Sequence, residues 1–198
     1  MPSRGCDISA LPSGAMTLPR VPTARWYPGV AAAQLIRPQP VADALYWLEL
    51  EGSLTRALQL RCRERFHVDV LREGFARPTL EEAQTLHIPS RQLAWIREVQ
   101  LCGDGQPWVM ARTVIPLATL RGRGRRLRHL GGRPLGAFLF SQRRWHRGPF
   151  QIGLTQNPVP GQPAVGRRSR FHRDHDALLV GEYFLPRLLQ ETSNQRPG

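Results

Sequence analysis

Lysine is absent from this chain of 198 residues, so all 28 of its Lys-or-Arg positions are arginines. Acidic residues are few, at 15, and the formal net charge is +13. No Asp or Glu occurs between positions 105 and 173, where fourteen of the arginines fall. Such a stretch could attract nucleic acid, a membrane surface or a small anionic substrate. The simpler alternative is an Arg-biased composition whose charges are solvated at the surface.

The chain also lacks long apolar runs and a cysteine framework. No run reaches the ~20 residues that a membrane-spanning helix needs. Prolines interrupt the N-terminal segment repeatedly, which argues against an apolar leader of secretory type. The three cysteines are widely spaced, without the spacing of metal ligands or of a disulfide framework. We therefore expect a soluble, cytoplasmic protein with no metal site.

Proline content and periodicity suggest the domain limits. Residues 1–38 are rich in proline and aperiodic, so we predict a poorly ordered N-terminal tail. The remaining length suits one domain, which we place at residues 39–190, followed by a short C-terminal tail at 191–198. Helical spacing of apolar residues follows Pro40, and again follows Ser53, which is a good N-cap.

Alternating apolar residues predict several strands with short connections. The most regular alternation runs from Leu93 to Leu101, and Gly103-Asp104-Gly105 predicts a hairpin into a second strand that stops at Pro116. Residues 177–185 are almost wholly apolar, which is typical of a strand buried on both faces. Such strands with flanking helices indicate an α+β domain built on an antiparallel sheet.

Two charged residues interrupt this hydrophobic pattern. Arg97 lies within the apolar alternation of the first strand, and Glu182 lies in the most apolar segment of the chain. A charge that points into a core is costly unless it is paired and hydrogen bonded. One interpretation is a buried salt bridge of these two residues with each other or with Arg112. The other is a buried cavity, in which Arg97 would suit a carboxylate and Glu182 a hydroxyl.

Motifs for other chemistries are missing from the sequence. It contains no Gly-rich phosphate loop of the P-loop or Rossmann type and no Gly-x-Ser-x-Gly elbow. No pair of histidines shows metal-ligand spacing on a clear helix. The sequence therefore gives little support to phosphate-loop, dinucleotide-binding, serine-hydrolase or metal chemistry.

A series of short motifs occurs in the order found in one known family. The motifs are Trp47-Leu48, Gly52-Ser53-Leu54-Thr55, Val70-Leu71-Arg72-Glu73-Gly74-Phe75, Trp95-Ile96-Arg97-Glu98-Val99, Pro107-Trp108, Ala111-Arg112-Thr113-Val114-Ile115-Pro116, Leu130-Gly131, Arg133-Pro134-Leu135-Gly136, Leu139-Phe140, Gly166-Arg167-Arg168-Ser169 and Glu182-Tyr183-Phe184-Leu185-Pro186. On this ordered set the chain resembles the chorismate pyruvate-lyase family of bacterial ubiquinone biosynthesis.

The resemblance implies a six-stranded antiparallel sheet whose flanking helices enclose a buried ligand pocket. It also implies a monomer that converts chorismate into 4-hydroxybenzoate and pyruvate without a cofactor. By their place in the family motifs, Arg97 would hold the ring carboxylate of the substrate and Glu182 its ring hydroxyl. Leu54, where the family often has Met, and Leu135 would pack against the ring. Val165 stands where the family commonly has Trp, which affects packing near the site.

Two alternative functions remain. The first is a small-ligand-sensing effector domain of a transcription regulator, because such domains share this fold. They normally follow a winged helix-turn-helix, which the N-terminal segment is too short to hold. The second is a basic nucleic-acid-binding protein, whose binding would weaken steeply with salt. The lyase interpretation instead predicts chorismate and 4-hydroxybenzoate as ligands and no nucleic acid.

Overall fold

A computed structural model describes residues 20–121, 123–141 and 144–193 of the chain. Its strands are β1 (Ala24–Tyr27), β2 (Phe66–Ala76), β3 (Ala94–Gly103), β4 (Gln106–Pro116), β5 (His146–Arg147), β6 (Gln151–Thr155), β7 (Val165–Arg173) and β8 (Asp176–Phe184). Its α-helices are α1 (Val30–Gln34), α2 (Pro38–Glu49), α3 (Leu54–Arg61), α4 (Leu80–Leu86), α5 (Leu117–Arg121), α6 (Leu135–Ser141) and α7 (Pro186–Ser193), and a 3-10 helix spans Arg123–His129. Among these residues, no helix is both long and apolar enough to span a bilayer.

All the strands join one antiparallel sheet. Its order is β1-β6-β7-β8-β4-β3-β2, and the two-residue strand β5 pairs with β7. The predicted α+β class with an antiparallel sheet is therefore confirmed. The predicted count of six strands is wrong, since the described part of the chain already contributes eight. That count came from the family resemblance, and the sequence itself gives no sign of β1 and β5, which are too short to show a period.

The folded part of the chain begins earlier than the predicted boundary. β1 and α1 lie within residues 1–38, the segment predicted to be a tail, and β1 pairs along its length with β6. Ala33 of α1 is fully buried in the core. At the other end, α7 continues to Ser193, three residues past the predicted limit at 190. Residues 1–19 and 194–198 lie outside the described residues.

The hairpin between β3 and β4 has the predicted turn. Asp104 and Gly105 both have positive φ angles, 52° and 74°, as a tight two-residue hairpin turn requires. The Asp104 carboxylate accepts hydrogen bonds from the backbone N–H groups of Arg63 and Glu64, at 3.0 and 2.7 Å. These bonds tie the end of α3 to the hairpin.

The edges of the sheet are β1 and the longer strand β2. The pairing of β2 with β3 shifts register between Val70 and Arg72, which marks a β-bulge. After the bulge, Glu73 stands directly opposite Arg97 of β3. The edge strand therefore brings an acidic residue beside the buried arginine.

The core is divided between the two faces of the sheet. On one face, Val99 and Ala111 pack with α1, α2 and α3, while Ile115 and Leu178 pack in a second cluster with α5, the 3-10 helix and α6. On the opposite face, Leu179 packs beneath α4. Residues 177–185 were predicted to form a strand buried on both faces. This is confirmed for β8, since its neighbouring residues Leu178 and Leu179 face opposite sides of the sheet and are 0% and 3% exposed. The first face thus carries two separate apolar clusters.

Candidate active site

A pocket lies on the first face of the sheet, between the two apolar clusters. Its floor comes from β3, β4, β7 and β8, and its walls from the start of α3, from α6 and from the segment around β5. Its free volume is about 620 Å³ when the open solvent at its mouth is included. The four residues predicted from the sequence, Leu54, Arg97, Leu135 and Glu182, all line it.

Arg97 projects into the pocket from β3 and is only 2% exposed. Its Nη2 donates to the carbonyl oxygens of Gly131 and, at 3.4 Å, Arg133. Its Nε lies 3.5 Å from the Glu73 carboxylate but has no hydrogen-bond partner among the described residues. Burial lowers the pKa of Arg97, and the Glu73 charge opposes that shift. The guanidinium is thus held in place with hydrogen-bonding capacity to spare.

Glu182 is paired with an arginine that sequence reasoning did not identify as its partner. Arg167 lies directly opposite it on β7, and the Arg167 Nε donates to the Glu182 carboxylate at 2.7 Å. Arg167 also donates to the carbonyl oxygen of Leu50 at 2.6 Å and is only 1% exposed. The Glu182 side chain keeps 20% of its surface exposed. Its charge is therefore balanced from one side while the carboxylate still faces the pocket.

The predicted salt bridge of Arg97 with Glu182, or of either with Arg112, is wrong. Arg112 points to the opposite face of the sheet, where it makes two hydrogen bonds to Glu82, of 2.7 and 2.9 Å, and one to Glu98. Burial raises the pKa of Glu82, but its bonds with Arg112 outweigh this and leave it below the ordinary value. Arg97 and Glu182 thus have separate partners, Glu73 and Arg167.

Comparison with known proteins shows the family of this chain. Residues 25–194 match the family model described as chorismate lyase. The chain belongs to the chorismate lyase family. It is 55% identical over 190 residues to a probable chorismate pyruvate-lyase from Marinobacter nauticus, covering 96% of this chain and 97% of that protein. It is 40% identical over 145 residues to a chorismate pyruvate-lyase from Cronobacter sakazakii, covering 73% and 82%.

Two solved structures of much lower sequence identity have a fold similar to that of this chain. PhnF from Mycobacterium smegmatis aligns with a TM-score of 0.51 and 13% identity, over 83% of this chain and 88% of that one. The effector domain of PhnF aligns with a TM-score of 0.50 and 14% identity, over 69% and 90%. At such identities the likeness shows the fold alone.

The two predicted apolar residues close the chorismate lyase pocket from the helices. Leu54 opens α3 directly after its cap Ser53, and Leu135 opens α6. The two helices approach closely, since a Cβ on Gly136 would lie 3.2 Å from the hydroxyl oxygen of Thr55. Val165, by contrast, lies fully buried in the first apolar cluster rather than on the pocket wall. The departure from the family Trp therefore falls in the core.

Sequence reasoning missed Arg147, which also lines this pocket. Its Nη1 donates to the carbonyl oxygen of Gly52 at 2.9 Å, and its guanidinium lies 4.4 Å from the Phe150 ring centre. Burial lowers the pKa of Arg147, the neighbouring Arg167 lowers it further, and the charge of Glu182 opposes both effects. In the sequence, Arg147 and Arg167 are two of the fourteen arginines in residues 105–173, and nothing distinguished them from the other twelve.

Three potential metal ligands meet away from the pocket. The ligand atoms of His67, Asp69 and Cys102 lie within 4.8 Å of one another, although their sequence spacing did not indicate it. Asp69 is 3.3 Å from the His67 Nε2 and 3.5 Å from the Cys102 sulfur. Burial, with the Asp69 charge, raises the pKa of the Cys102 thiol to about 12. Cys102 is thus hydrogen bonded to Asp69, His67 contacts the same carboxylate, and none of the three residues lines the pocket.

Proposed function

We propose that the chain is a chorismate pyruvate-lyase, which converts chorismate into 4-hydroxybenzoate and pyruvate in the first step of ubiquinone biosynthesis. Membership of the chorismate lyase family supports this function, as do the names of relatives that align over most of their length. The observation that carries the proposal is that Arg97 and Glu182 line the same pocket.

In this proposal Arg97 binds the ring carboxylate of chorismate. A carboxylate that reaches its buried guanidinium forms charge-assisted hydrogen bonds, which are stronger than neutral ones. Glu182 accepts a hydrogen bond from the ring hydroxyl, because a carboxylate can accept from a hydroxyl and from Arg167 at once. Leu54 and Leu135 pack against the ring and exclude water. Leu54, Arg97, Leu135 and Arg167 are each at most 8% exposed, which supports a site sheltered from solvent.

The reaction breaks the ether bond between the ring and the enolpyruvyl group. The neighbouring ring carbon, which carries the hydroxyl, loses its hydrogen, and the ring becomes aromatic. That hydrogen is balanced by the one gained when the enolpyruvyl group becomes pyruvate, so neither an oxidant nor a reductant is needed. Because aromatisation makes the reaction strongly favourable, the protein supplies positioning and electrostatic stabilisation. The proposal includes no cofactor.

The Arg-rich stretch supports nucleic-acid binding less than the sequence indicated. Arg112, Arg167 and Arg168 are each buried in ion pairs, with side chains at most 12% exposed. Arg173 pairs with Asp176, and Arg128 stacks over two aromatic rings. Much of the charge in residues 105–173 therefore has a role within the domain.

The test is the formation of 4-hydroxybenzoate and pyruvate, in equal amounts, from chorismate by the purified protein. We expect Arg97→Ala to lower kcat/KM by about 30- to 1000-fold and to raise KM. The lost contact with the ring carboxylate is worth on the order of 2–4 kcal/mol. Arg91→Ala is the matched control, since Arg91 is exposed and outside the pocket, and it should keep full activity.

The outcomes separate the alternatives. If a folded Arg97→Ala protein matches wild type, Arg97 does not bind the carboxylate. If the wild-type protein binds a small ligand without turnover, the effector-domain function replaces the lyase. If it binds nucleic acid with a steep salt dependence and does not consume chorismate, the third function replaces both. A monomeric state and a cytoplasmic location remain part of the proposal, to be checked by light scattering and by cell fractionation.

A further inference from the structure

Chorismate carries two carboxylates, one on the ring and one on the enolpyruvyl group. The proposed function assigns Arg97 to the ring carboxylate and leaves the other without a partner. We propose that Arg147 binds the second carboxylate, the one on the enolpyruvyl group, and so distinguishes the substrate from the aromatic product. This inference rests on the proposed function. It assigns a specificity role to a residue that neither the sequence motifs nor the hydrophobic pattern singled out.

The strand register sets the distance between Arg97 and Glu182, the two residues proposed to hold opposite ends of the substrate ring. Arg97 is opposite Thr113 on β4, and Glu182 is opposite Ala111 on the same strand. They are thus two strand spacings and two residues apart, which puts their Cα atoms about 12 Å from each other. Two long side chains that enter the pocket from such positions can hold the two ends of one ring between them.

The chemistry of the substrate then places its second carboxylate. In chorismate, the carbon that bears the enolpyruvyl ether is next to the carbon that bears the hydroxyl. If Arg97 holds the ring carboxylate and Glu182 the hydroxyl, the enolpyruvyl group must lie at the Glu182 end. Any cation that binds its carboxylate must line that end of the pocket.

Arg147 lies at that end. Its strand β5 pairs with β7, the neighbour of β8 on the side away from β3 and Arg97. The guanidinium groups of Arg147 and Arg167 lie 4.4 and 4.3 Å from the centre of the same Phe150 ring. Since Arg167 is bonded to Glu182, Arg147 is close to both.

The charges at this end of the pocket favour one more anion. Arg147 and Arg167 supply two positive charges, and Glu182 supplies one negative charge. Glu51 also acts on Arg147, but it is exposed, so water screens its charge. The excess positive charge is partly desolvated, and a single carboxylate would balance it.

The experiment compares substrate with product in Arg147→Gln. We expect kcat/KM for chorismate to fall about 10- to 100-fold, mostly through KM, as for a lost hydrogen bond to a charged group. The dissociation constant of 4-hydroxybenzoate, which has no second carboxylate, should change less than about threefold. Arg147→Lys should recover part of the loss, because it keeps the charge without the planar fork. Arg37→Gln is the matched control, since Arg37 also donates to one backbone carbonyl, that of Thr155, and lies outside this pocket.

Each result decides the question. Equal weakening of chorismate and 4-hydroxybenzoate would show that Arg147 only supports the fold near Gly52, and would overturn the proposal. Unchanged kcat/KM in Arg147→Gln would also overturn it. If Arg147→Gln fails to fold, the same measurements are made on Arg147→Lys. A ratio of the chorismate KM to the 4-hydroxybenzoate dissociation constant that equals the wild-type ratio would then refute the role of Arg147 in binding the enolpyruvyl carboxylate. Absence of wild-type turnover would instead show that the proposed function itself has failed.

Discussion

Replacing Glu182 by Gln removes a negative charge from the pocket while it keeps the side-chain shape. The sequence left two interpretations of Glu182 open, a buried salt bridge with Arg97 or Arg112 and a direct contact with the substrate. Under the second, replacing Glu182 was expected to change stability little. The structure alters that expectation, because Arg167 is bonded to Glu182 and is 1% exposed. Both stability and turnover should therefore fall, for different physical reasons.

The loss of stability follows from the ion pair. Removing one partner of a fully buried pair costs about 3–5 kcal/mol. Glu182 is 20% exposed, its amide replacement can still accept from the Arg167 Nε, and Arg167 keeps its bond to Leu50. We therefore expect a smaller cost of about 1–3 kcal/mol, or a fall in Tm of about 3–10 °C for a domain of this size.

The loss of turnover follows from the charge that the transition state requires. A neutral amide stabilises the ring hydroxyl and the loss of the neighbouring hydrogen less well than a carboxylate does. We expect kcat to fall about ten- to a thousand-fold, or about 1.4–4 kcal/mol of transition-state stabilisation. This loss should remain at temperatures far below the lowered Tm, where the variant is fully folded.

The assay is thermal unfolding and turnover of the same Glu182→Gln preparation. Glu98→Gln is the matched control, because Glu98 belongs to a buried ion pair with Arg112 on the opposite face of the sheet. That control should lose stability but keep its turnover. Full turnover in a folded Glu182→Gln protein would remove Glu182 from the mechanism and refute the reasoning. Equal losses of turnover in both variants would show that a stability defect alone explains the result.

Three further outcomes are expected. Deleting residues 1–35, which the sequence presented as a dispensable tail, should lower Tm by more than about 4 °C, because β1 and the buried Ala33 are lost; an unchanged Tm would contradict the observed packing. Turnover should survive dialysis against a metal chelator, because the potential metal ligands found together among the described residues lie outside the pocket; loss of activity that a divalent ion restores would show otherwise. The depressed pKa of Glu82 means that its bond to Arg112 stabilises the fold above the ordinary pKa of 4.5 and is lost as pH falls below it. Glu82→Gln should therefore flatten the fall of Tm below pH 4.5, and a slope equal to that of wild type would refute the assignment.

The sequence predicted the pocket residues better than it predicted their partners. Arg97 and Glu182 could be found because a charge within an alternating apolar strand breaks a pattern that is visible locally. Their partners could not be found, because the pairings of Glu73 with Arg97 and of Arg167 with Glu182 depend on strand register. Register is set by the whole sheet, including the bulge in β2.

The missed elements share a different cause. β1 has four residues and lies between prolines, and β5 has two, so neither is long enough to show alternation. Both are strands only because β6 and β7 offer them backbone partners. Arg147 was missed for the same reason, since its position in the pocket depends on the pairing of β5 with β7.

The bulge in β2 also affects how the molecule behaves at high concentration. β2 is a long edge strand, and an open strand edge invites pairing with a neighbouring molecule, which leads to fibres or aggregates. The register shift between Val70 and Arg72 interrupts the regular ladder near the middle of the strand. A strand from another copy could therefore match only one half of that edge, and it would meet the charges of Arg72 and Glu73 in the other half. The same irregularity that places Glu73 beside the buried arginine thus makes this edge of the sheet a poor partner for a strand of another molecule.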